Sequence, residues 1–545
     1  MRRLVQMTCL GAALAAPAAG QELGQIDFPT SARAQAAQEA FRRGTLLLHS
    51  FEYEDAREQF VAAREAEPGF AMATWGEALT FYHPIWRREE QDQAREALLH
   101  LGPDAAARAA AAPTDAERAW LGSVEALFGE GTRTVRWTAY ADALQRMHKA
   151  DPDNVEVAAF YALAVLGTSF GGRDARTYMR AAAIAQPYFA AHPDHPGLLH
   201  YLIHCYDDPI HAPLGLPMAR RYDQVAPAAG HALHMPSHIY VALGMWSASI
   251  AANIASFAAG DARRERKALG VEARNWHACQ WQAYSHLQQG QRAAAAKLLD
   301  LVWQDHAESQ SNRMRYHVVV MRAAHLVDGG YQHESAGWEV DLTGLRRSTA
   351  ATDHFVRGMA ALGRGDADTA AGRLADLRRL APAAPPPTQL ALGQATCCAP
   401  SGVRPETAQD GLAAMVAGAQ LAGALAAARG DDVEALAQLR EACRLEDTMD
   451  LDFGPPVVAK PAHEMLGEAL LELEQADEAV REFEAALRRA PGRGLAQLGL
   501  ARALGAAGQQ AASRQAYAAM AKHWANADAD HSVRAEIETA GGAGG

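Results

Sequence analysis

The chain has 545 residues, with 51 lysine and arginine residues together against 64 aspartate and glutamate residues, a formal net charge of −13. No basic stripe offsets this acidity, so nucleic acid is a poor candidate partner. Hydrophobic residues make up 49% of the chain and only six residues are cysteine, which excludes a disulfide scaffold and leaves apolar burial to hold the fold.

The first twenty residues have the features of a secretory signal peptide. Arg2 and Arg3 form a basic start, residues 4–16 are mostly apolar, and residues 18–20 are small. Cleavage before Gln21 predicts an exported protein, periplasmic or secreted. The apolar run is too short to cross a bilayer, and no later segment reaches about 18 continuous apolar residues, so we predict no membrane span.

The stretch that follows is predicted to be almost wholly helical, from about residue 36 to residue 524. In "FEYEDAREQFVAAREAEP" (51–68), small and aromatic residues stand at the positions of a tetratricopeptide repeat. Near the C-terminus the pattern recurs with a 34-residue step, from Phe483 to Tyr517 and from Ala486 to Met520. That period is typical of stacked helix-turn-helix units. The resemblance to the tetratricopeptide family implies an all-α solenoid.

We predict two arrays of such repeats behind the signal peptide. The N-terminal array spans residues 21–380. A proline-rich linker, 381–408, contains "APAAPPPTQLALGQATCCAPSG" and is the clearest break in the helical pattern. The C-terminal array covers 409–545 and ends in a short flexible tail.

Histidines are concentrated in one part of the N-terminal array. Eight of the 22 lie in the 47 residues from 192 to 238. His200 and His204 are four residues apart, and so are His234 and His238, which places each pair on one helix face. Because the first helices of successive repeats line a shared groove, we expect these pairs, with His277 and His231, to face one another. A histidine taken alone elsewhere, such as His49 or His148, is interpreted as a packing or surface residue.

A pair of histidines four residues apart on a helix is a common way to chelate a transition metal. The predicted ligands are His200, His204, His234, His238, His277 and His231. Imidazole ligands suit copper or zinc first and iron third. Asp207 and Asp208 follow the first pair and can orient imidazoles as outer carboxylates. Cys205 and Cys279 lie beside predicted ligands in the sequence. Either a thiolate ligand or a disulfide between them is compatible with this placement.

Two other functions fit the same residues. A metal-free adaptor would hold a peptide or protein partner in the concave groove, and a periplasmic carrier or sensor would bind metal without catalysis. An enzymatic function is also compatible with the sequence, because three tyrosines, Tyr201, Tyr240 and Tyr284, lie near the predicted ligands. No substrate and no catalytic residue can be assigned. Glu464 and Glu468 occupy equivalent groove positions in the C-terminal array and would reach the histidines only if the solenoid curls back.

Several motifs resemble a group of bacterial exported tetratricopeptide-repeat proteins. They are "HPGLLHYLIHCYDDPIHAPLGLPMARRYDQVAP" and "HALHMPSHIYVALGMWSASIAAN" around the histidines, "FAMATWGEALTFYHPIW" near the start and "FGPPVVAKPAHEMLGEALL" near the end. The resemblance implies a secreted helical-repeat protein. It brings no settled biochemical activity with it, so the function has to be argued from the residues.

Overall fold

The computed structural model describes residues 22–170, 172–381, 406–451 and 453–542. The predicted signal peptide and most of the proline-rich linker lie outside these ranges. The α-helices are α1 Gln35–His49, α2 Tyr53–Ala66, α3 Ala71–Leu79, α4 Gln91–Leu99, α5 Ala105–Ala111, α6 Asp115–Leu127, α7 Arg133–Ala150, α8 Val155–Gly167, α9 Ala175–Phe189, α10 Pro196–Tyr206, α11 Ala212–Val225, α12 Gly230–His234, α13 Pro236–Ala242, α14 Trp246–Arg266, α15 Trp276–Gln288, α16 Arg292–His306, α17 Asn312–Asp328, α18 Arg347–Gly363, α19 Ala367–Leu380, α20 Ala408–Ala428, α21 Asp432–Glu446, α22 Ala462–Glu472, α23 Ala476–Arg489, α24 Gly494–Ala506, α25 Gln510–His523 and α26 Arg534–Gly542. Two 3₁₀ helices span Val271–Ala273 and Glu334–Gly337.

Helices that follow one another along the chain pack against one another, which confirms the predicted all-α solenoid. The repeat is visible in how phenylalanine rings fill the space between units. The Phe60 ring in α2 lies so close to Gly44 and Gly76 that a methyl group on either would be within 2.9 and 2.3 Å of it. Phe483 in α23 makes the same contacts with one glycine in α22 and one in α24. Glycine is required there because the helices cross closely.

One short segment departs from the predicted helix. Tyr82–His83 (β1) and Arg88–Glu89 (β2) form an antiparallel two-stranded hairpin. Pro84 follows the first strand, and Arg87 adopts a left-handed backbone with φ of 52°, so the chain turns instead of continuing as a helix. The Glu89 carboxylate then accepts a hydrogen bond from Trp137 Nε1 at 2.7 Å, which attaches the hairpin to α7.

Helix α20 is long and apolar enough to cross a membrane by length and composition, but 61% of its apolar window is buried. It packs against α18, α19 and α21. The side chain of Gln420, fully buried in α20, donates to the Lys460 carbonyl oxygen at 2.7 Å. These are the contacts of a core helix. The helices on either side of the linker thus share one hydrophobic core, while the division into two arrays stays a prediction.

The C-terminal helices fold back onto the middle of the chain. The Trp246 indole donates to the Gly492 carbonyl oxygen at 2.8 Å, and the Trp524 indole donates to the carbonyl oxygen of Gln288 at 3.0 Å. The side-chain oxygen of Gln288 also accepts from the backbone N–H of Gly494 at 3.0 Å. The solenoid therefore curls enough to bring its two halves into contact beside the histidine-rich helices.

Candidate metal centre

The structure brings the six predicted histidines together at the centre of this curled solenoid. They come from four helices: α10 carries the first pair, α12 the next two, and α13 and α15 one each. They separate into two groups whose members each offer one ligand atom within 4.8 Å of the other two. We name them the first triad, made of His200, His204 and His231, and the second triad, made of His234, His238 and His277.

A proline interrupts the helix between the two histidines of the second pair. Pro236 is the first residue of α13, a position that tolerates its missing N–H. Met235 keeps helical backbone angles of −54° and −36°, so His234 and His238 still lie one turn apart. Their ring centroids are separated by 5.1 Å.

The inner nitrogens of the first triad converge to distances that suit a metal ion. His200 Nε2 lies 3.1 Å from His204 Nε2 and 3.1 Å from His231 Nε2. Two nitrogens bound to one tetrahedral zinc ion at about 2.0–2.1 Å each would lie roughly 3.3 Å apart. The His200 nitrogen is therefore close to the spacing of two ligands on one ion from each of the other two.

The outer nitrogens of the α10 histidines fix the protonation of these rings. His200 Nδ1 donates to the carbonyl oxygen of His49 at 2.6 Å, and His204 Nδ1 donates to Asp207 Oδ2 at 3.4 Å. Both partners only accept, so each Nδ1 carries the proton and each neutral ring directs an Nε2 lone pair at the other. Burial lowers the pKa of both histidines and favours the neutral form. Two facing lone pairs at 3.1 Å repel one another, whereas a cation between them satisfies both.

The second triad has the same design. His238 Nδ1 donates to Asp207 Oδ2 at 3.1 Å, and His234 Nδ1 donates to Asn253 Oδ1 at 2.6 Å. The Asn253 amide is oriented by its own donation to the Ser249 carbonyl oxygen at 2.8 Å. With Nδ1 of both rings donating, Nε2 is the acceptor nitrogen of each neutral ring, and the His277 ring centroid lies 4.5 Å from that of His234.

A single carboxylate, Asp207, orients one histidine of each triad. It is fully buried, and its other oxygen forms an ion pair with Arg173. Burial alone would raise its pKa, but the charge of Arg173 and the hydrogen bonds from His204 and His238 outweigh burial and lower it. Of the two carboxylates predicted to orient the imidazoles, only Asp207 contacts the triads. Asp208 instead pairs with Arg173 and with His211 and contacts neither triad.

The histidines are more enclosed than an open groove would make them. Those of the second triad are 1%, 0% and 4% exposed, and the Trp281 ring lies 4.7–5.1 Å from all three of their centroids. Phe453, from the C-terminal half, covers His238 at 5.0 Å. The first triad has one half-buried member, His231, which lines a cavity of about 1120 Å³ together with Glu52 and Tyr53.

A neighbouring group, His49, Glu156 and His195, also brings three potential ligand atoms within 4.8 Å of one another but is fully hydrogen-bonded within the protein. His49 Nε2 and His195 Nε2 donate to the two oxygens of the buried Glu156 at 2.9 and 3.0 Å. The remaining ring nitrogens accept from Tyr201 at 2.9 Å and from the Leu198 N–H at 3.2 Å. Every polar atom of these rings has a partner, so His49 has the predicted packing role. No sequence motif marks Glu156 as a partner of these histidines.

The C-terminal half contains a similar group that sequence reasoning also missed. His463, beside Cys443, donates to Glu482 at 2.6 Å and to Asp447 at 3.1 Å. Burial alone would lower its pKa, but Cys443 and the carboxylates on both sides raise it to about 11. The ring is therefore held as a cation between its carboxylate partners, although Cys443, His463 and Glu482 also offer ligand atoms within 4.8 Å of one another.

The cysteines next to the predicted ligands take no part in the triads. Cys205 and Cys279 are both buried and free, so no disulfide joins them. Burial raises the pKa of both thiols, which disfavours the thiolate that a metal would need. Cys397 and Cys398 lie outside the described residues.

The carboxylates and tyrosines considered with the site are engaged elsewhere. Glu464 forms buried ion pairs with Arg493 at 2.5 Å and with Lys460, and Glu468 shares that lysine at 2.8 Å. Arg493 also donates to the Tyr284 hydroxyl at 3.1 Å. The curl of the solenoid thus brings these carboxylates to Tyr284, outside both triads. The Tyr201 hydroxyl contacts His49, and that of Tyr240 donates to a carbonyl of α11.

Comparison with known proteins finds similar solved structures but assigns the chain to no family. No protein-family model and no curated protein sequence matches the chain. Solved structures similar to it include the TPR domain of P58(IPK), 14% identical over 87% of this chain and 98% of that chain with a TM-score of 0.23. Yeast Tom70 is 13% identical over 88% and 97% with a TM-score of 0.30, and human IFIT1 with m7Gppp-AAAA is 12% identical over 90% and 91% with 0.35. Because these TM-scores are all below 0.5, the fold assignment depends on the packing of the helices themselves.

Proposed function

We propose that this chain is an exported tetratricopeptide-repeat protein that binds a first-row transition metal through its central histidines. The observation that carries the proposal is the first triad, in which the His200 and His204 rings direct Nε2 lone pairs at each other from 3.1 Å and His231 Nε2 lies 3.1 Å from that of His200. In the His49–Glu156–His195 group, by contrast, each imidazole nitrogen has a protein hydrogen-bond partner. Neutral imidazoles without a thiolate favour copper and zinc over iron.

The first triad has the features of an open site. Three protein ligands leave a fourth position on a tetrahedral ion, as in catalytic zinc centres, and His231 borders the 1120 Å³ cavity from which a small molecule can approach. Glu52 lines the same cavity and accepts the His231 backbone N–H at 2.9 Å. Burial raises the pKa of Glu52, which suits a group that takes up or releases a proton. This arrangement favours a metalloenzyme over a closed carrier.

Elemental analysis of protein purified without a metal-affinity tag tests the binding. Wild-type protein should contain stoichiometric copper or zinc after dialysis, and His231→Gln should lose metal from the first triad while keeping its helical circular dichroism. His192→Gln is the matched control, because His192 is exposed and outside both triads. Wild-type protein that never retains metal would favour the metal-free adaptor, in which the curled solenoid holds a peptide partner.

A second measurement separates an open site from a carrier. Cobalt- or copper-loaded protein should change its visible spectrum on addition of azide, because the cavity beside His231 admits a small anion to the vacant coordination position. A spectrum that does not respond to azide would indicate a closed coordination sphere and a role in metal carriage.

A further inference from the structure

We propose that each chain holds two metal ions, an exchangeable ion in the first triad and an enclosed ion in the second triad, coupled through Asp207. This inference rests on the proposed function. It adds a second centre with a different role to the accessible site argued above.

The first step is that the triads are separate sets of donors. Within each triad three ligand atoms lie within 4.8 Å of one another. His204 and His238, of different triads, also come within that distance of each other and of Asp207, but it is their outer Nδ1 atoms that share the Asp207 carboxylate. Six imidazoles exceed what one tetrahedral ion uses, but they supply two ions with three ligands each.

The second step is that both triads are oriented by polar groups outside them. In the second triad, Asn253 and Asp207 take the outer protons of His234 and His238. In the first, the His49 carbonyl and Asp207 do the same for the α10 histidines. Outer partners that fix the tautomer and the ring direction are a regular feature of metal-ligating histidines.

The third step is that the two sites differ in access. An ion in the first triad would be reached through the cavity at His231. The second triad is buried on all members and enclosed by the aromatic rings of Trp281 and Phe453. Phe453 belongs to the C-terminal half, and a methyl group on the adjacent Gly454 would lie 2.2 Å from the Trp281 ring. An ion there would join α12, α13 and α15 beneath the returning C-terminal segment, which is a structural role.

The Asp207 carboxylate couples the two sites. Its Oδ2 accepts hydrogen bonds from His204 of the first triad and His238 of the second. An ion bound to either histidine polarises that ring, strengthens its hydrogen bond to Oδ2 and changes how firmly the same oxygen holds the other ring. Loading of one site should therefore alter the affinity of the other.

Cobalt titration of chelator-stripped wild-type protein tests the number of sites directly. The visible absorption should rise to a break at two equivalents of Co²⁺ per chain. A break at one equivalent would overturn the inference while leaving the proposed function intact, and no binding at all would remove both. This measurement needs no variant, so a folding defect cannot obscure it.

Variants and removal rates then assign the two ions. His231→Gln and His277→Gln should each reduce the stoichiometry from two ions to one. In wild-type protein, a chelator should remove one equivalent at least tenfold faster than the other, and the fast phase should be absent from His231→Gln. A single removal phase in wild-type protein, or loss of both ions in both folded variants, would contradict two differently exposed sites.

Discussion

The replacement of Asp207 by asparagine is the sharpest test of how the histidines are held. Asparagine has the same shape but one acceptor oxygen instead of a carboxylate, and its amide nitrogen would face groups that donate. Because Asp207 Oδ2 orients His204 and His238, each triad should lose one firmly placed ligand. Loss of an outer partner typically lowers metal affinity 10- to 100-fold, which is about 1.4–2.7 kcal/mol per ion.

The neighbouring residue supplies a matched control. Asp208 pairs with the same cation, Arg173, at 2.8 Å, but its other contacts go to His211 and the turn that follows. Asp208→Asn should therefore weaken the protein without changing metal affinity. Because Asp208 still pairs with Arg173 in Asp207→Asn, we expect the apoprotein of that variant to lose about 3 kcal/mol, the lower end for a broken buried ion pair.

Competition with a chromophoric chelator at pH 7.5 measures the affinities, and thermal unfolding of the apoproteins measures the stability. The reasoning fails if Asp207→Asn binds metal as tightly as wild-type protein, or if Asp208→Asn loses affinity to the same extent. Either result would mean that Asp207 serves only to hold Arg173.

Three further predictions concern pH and stability. Burial lowers the pKa of His200, so its ring stays neutral at lower pH. In a competition titration the midpoint of metal release should therefore lie below pH 6.5, and a midpoint above pH 6.5 would contradict this. Glu156, whose pKa falls from 4.5 to about 2 because hydrogen-bonded histidines outweigh its burial, stabilises the fold above pH 4.5 and less as pH falls toward 2. Glu156→Gln should cost about 3 kcal/mol in urea unfolding at pH 7 and leave metal content unchanged. In Gly76→Ala the new methyl group would meet the Phe60 ring at 2.3 Å, so the free energy of unfolding should fall by about 1–3 kcal/mol. Gly122 is a helix position with open space around it, so Gly122→Ala should raise the free energy of unfolding by about 0.5–1 kcal/mol. Equal changes for the two variants in urea unfolding would refute the packing argument.

Helices and their pairing could be predicted from the sequence because they follow local rules. The small and aromatic positions of a tetratricopeptide repeat recur every 34 residues, so they can be recognised from the local sequence without knowing which distant residues they contact. The same periodicity placed His200 with His204 and His234 with His238, since residues four apart share a helix face. The hairpin at Tyr82–His83 was missed because two-residue strands have no periodic signal, although Pro84 was visible.

Only the tertiary structure decided how the histidines are grouped and what covers them. The carbonyl that fixes His200 belongs to His49, 151 residues earlier in the chain. Phe453, which lies over His238, is contributed by the C-terminal half. A ring's tautomer and direction depend on where its outer nitrogen finds an acceptor, and that is set by the packing of distant helices. Sequence spacing determined which imidazoles share a face, while the curl of the solenoid determined which lone pairs meet.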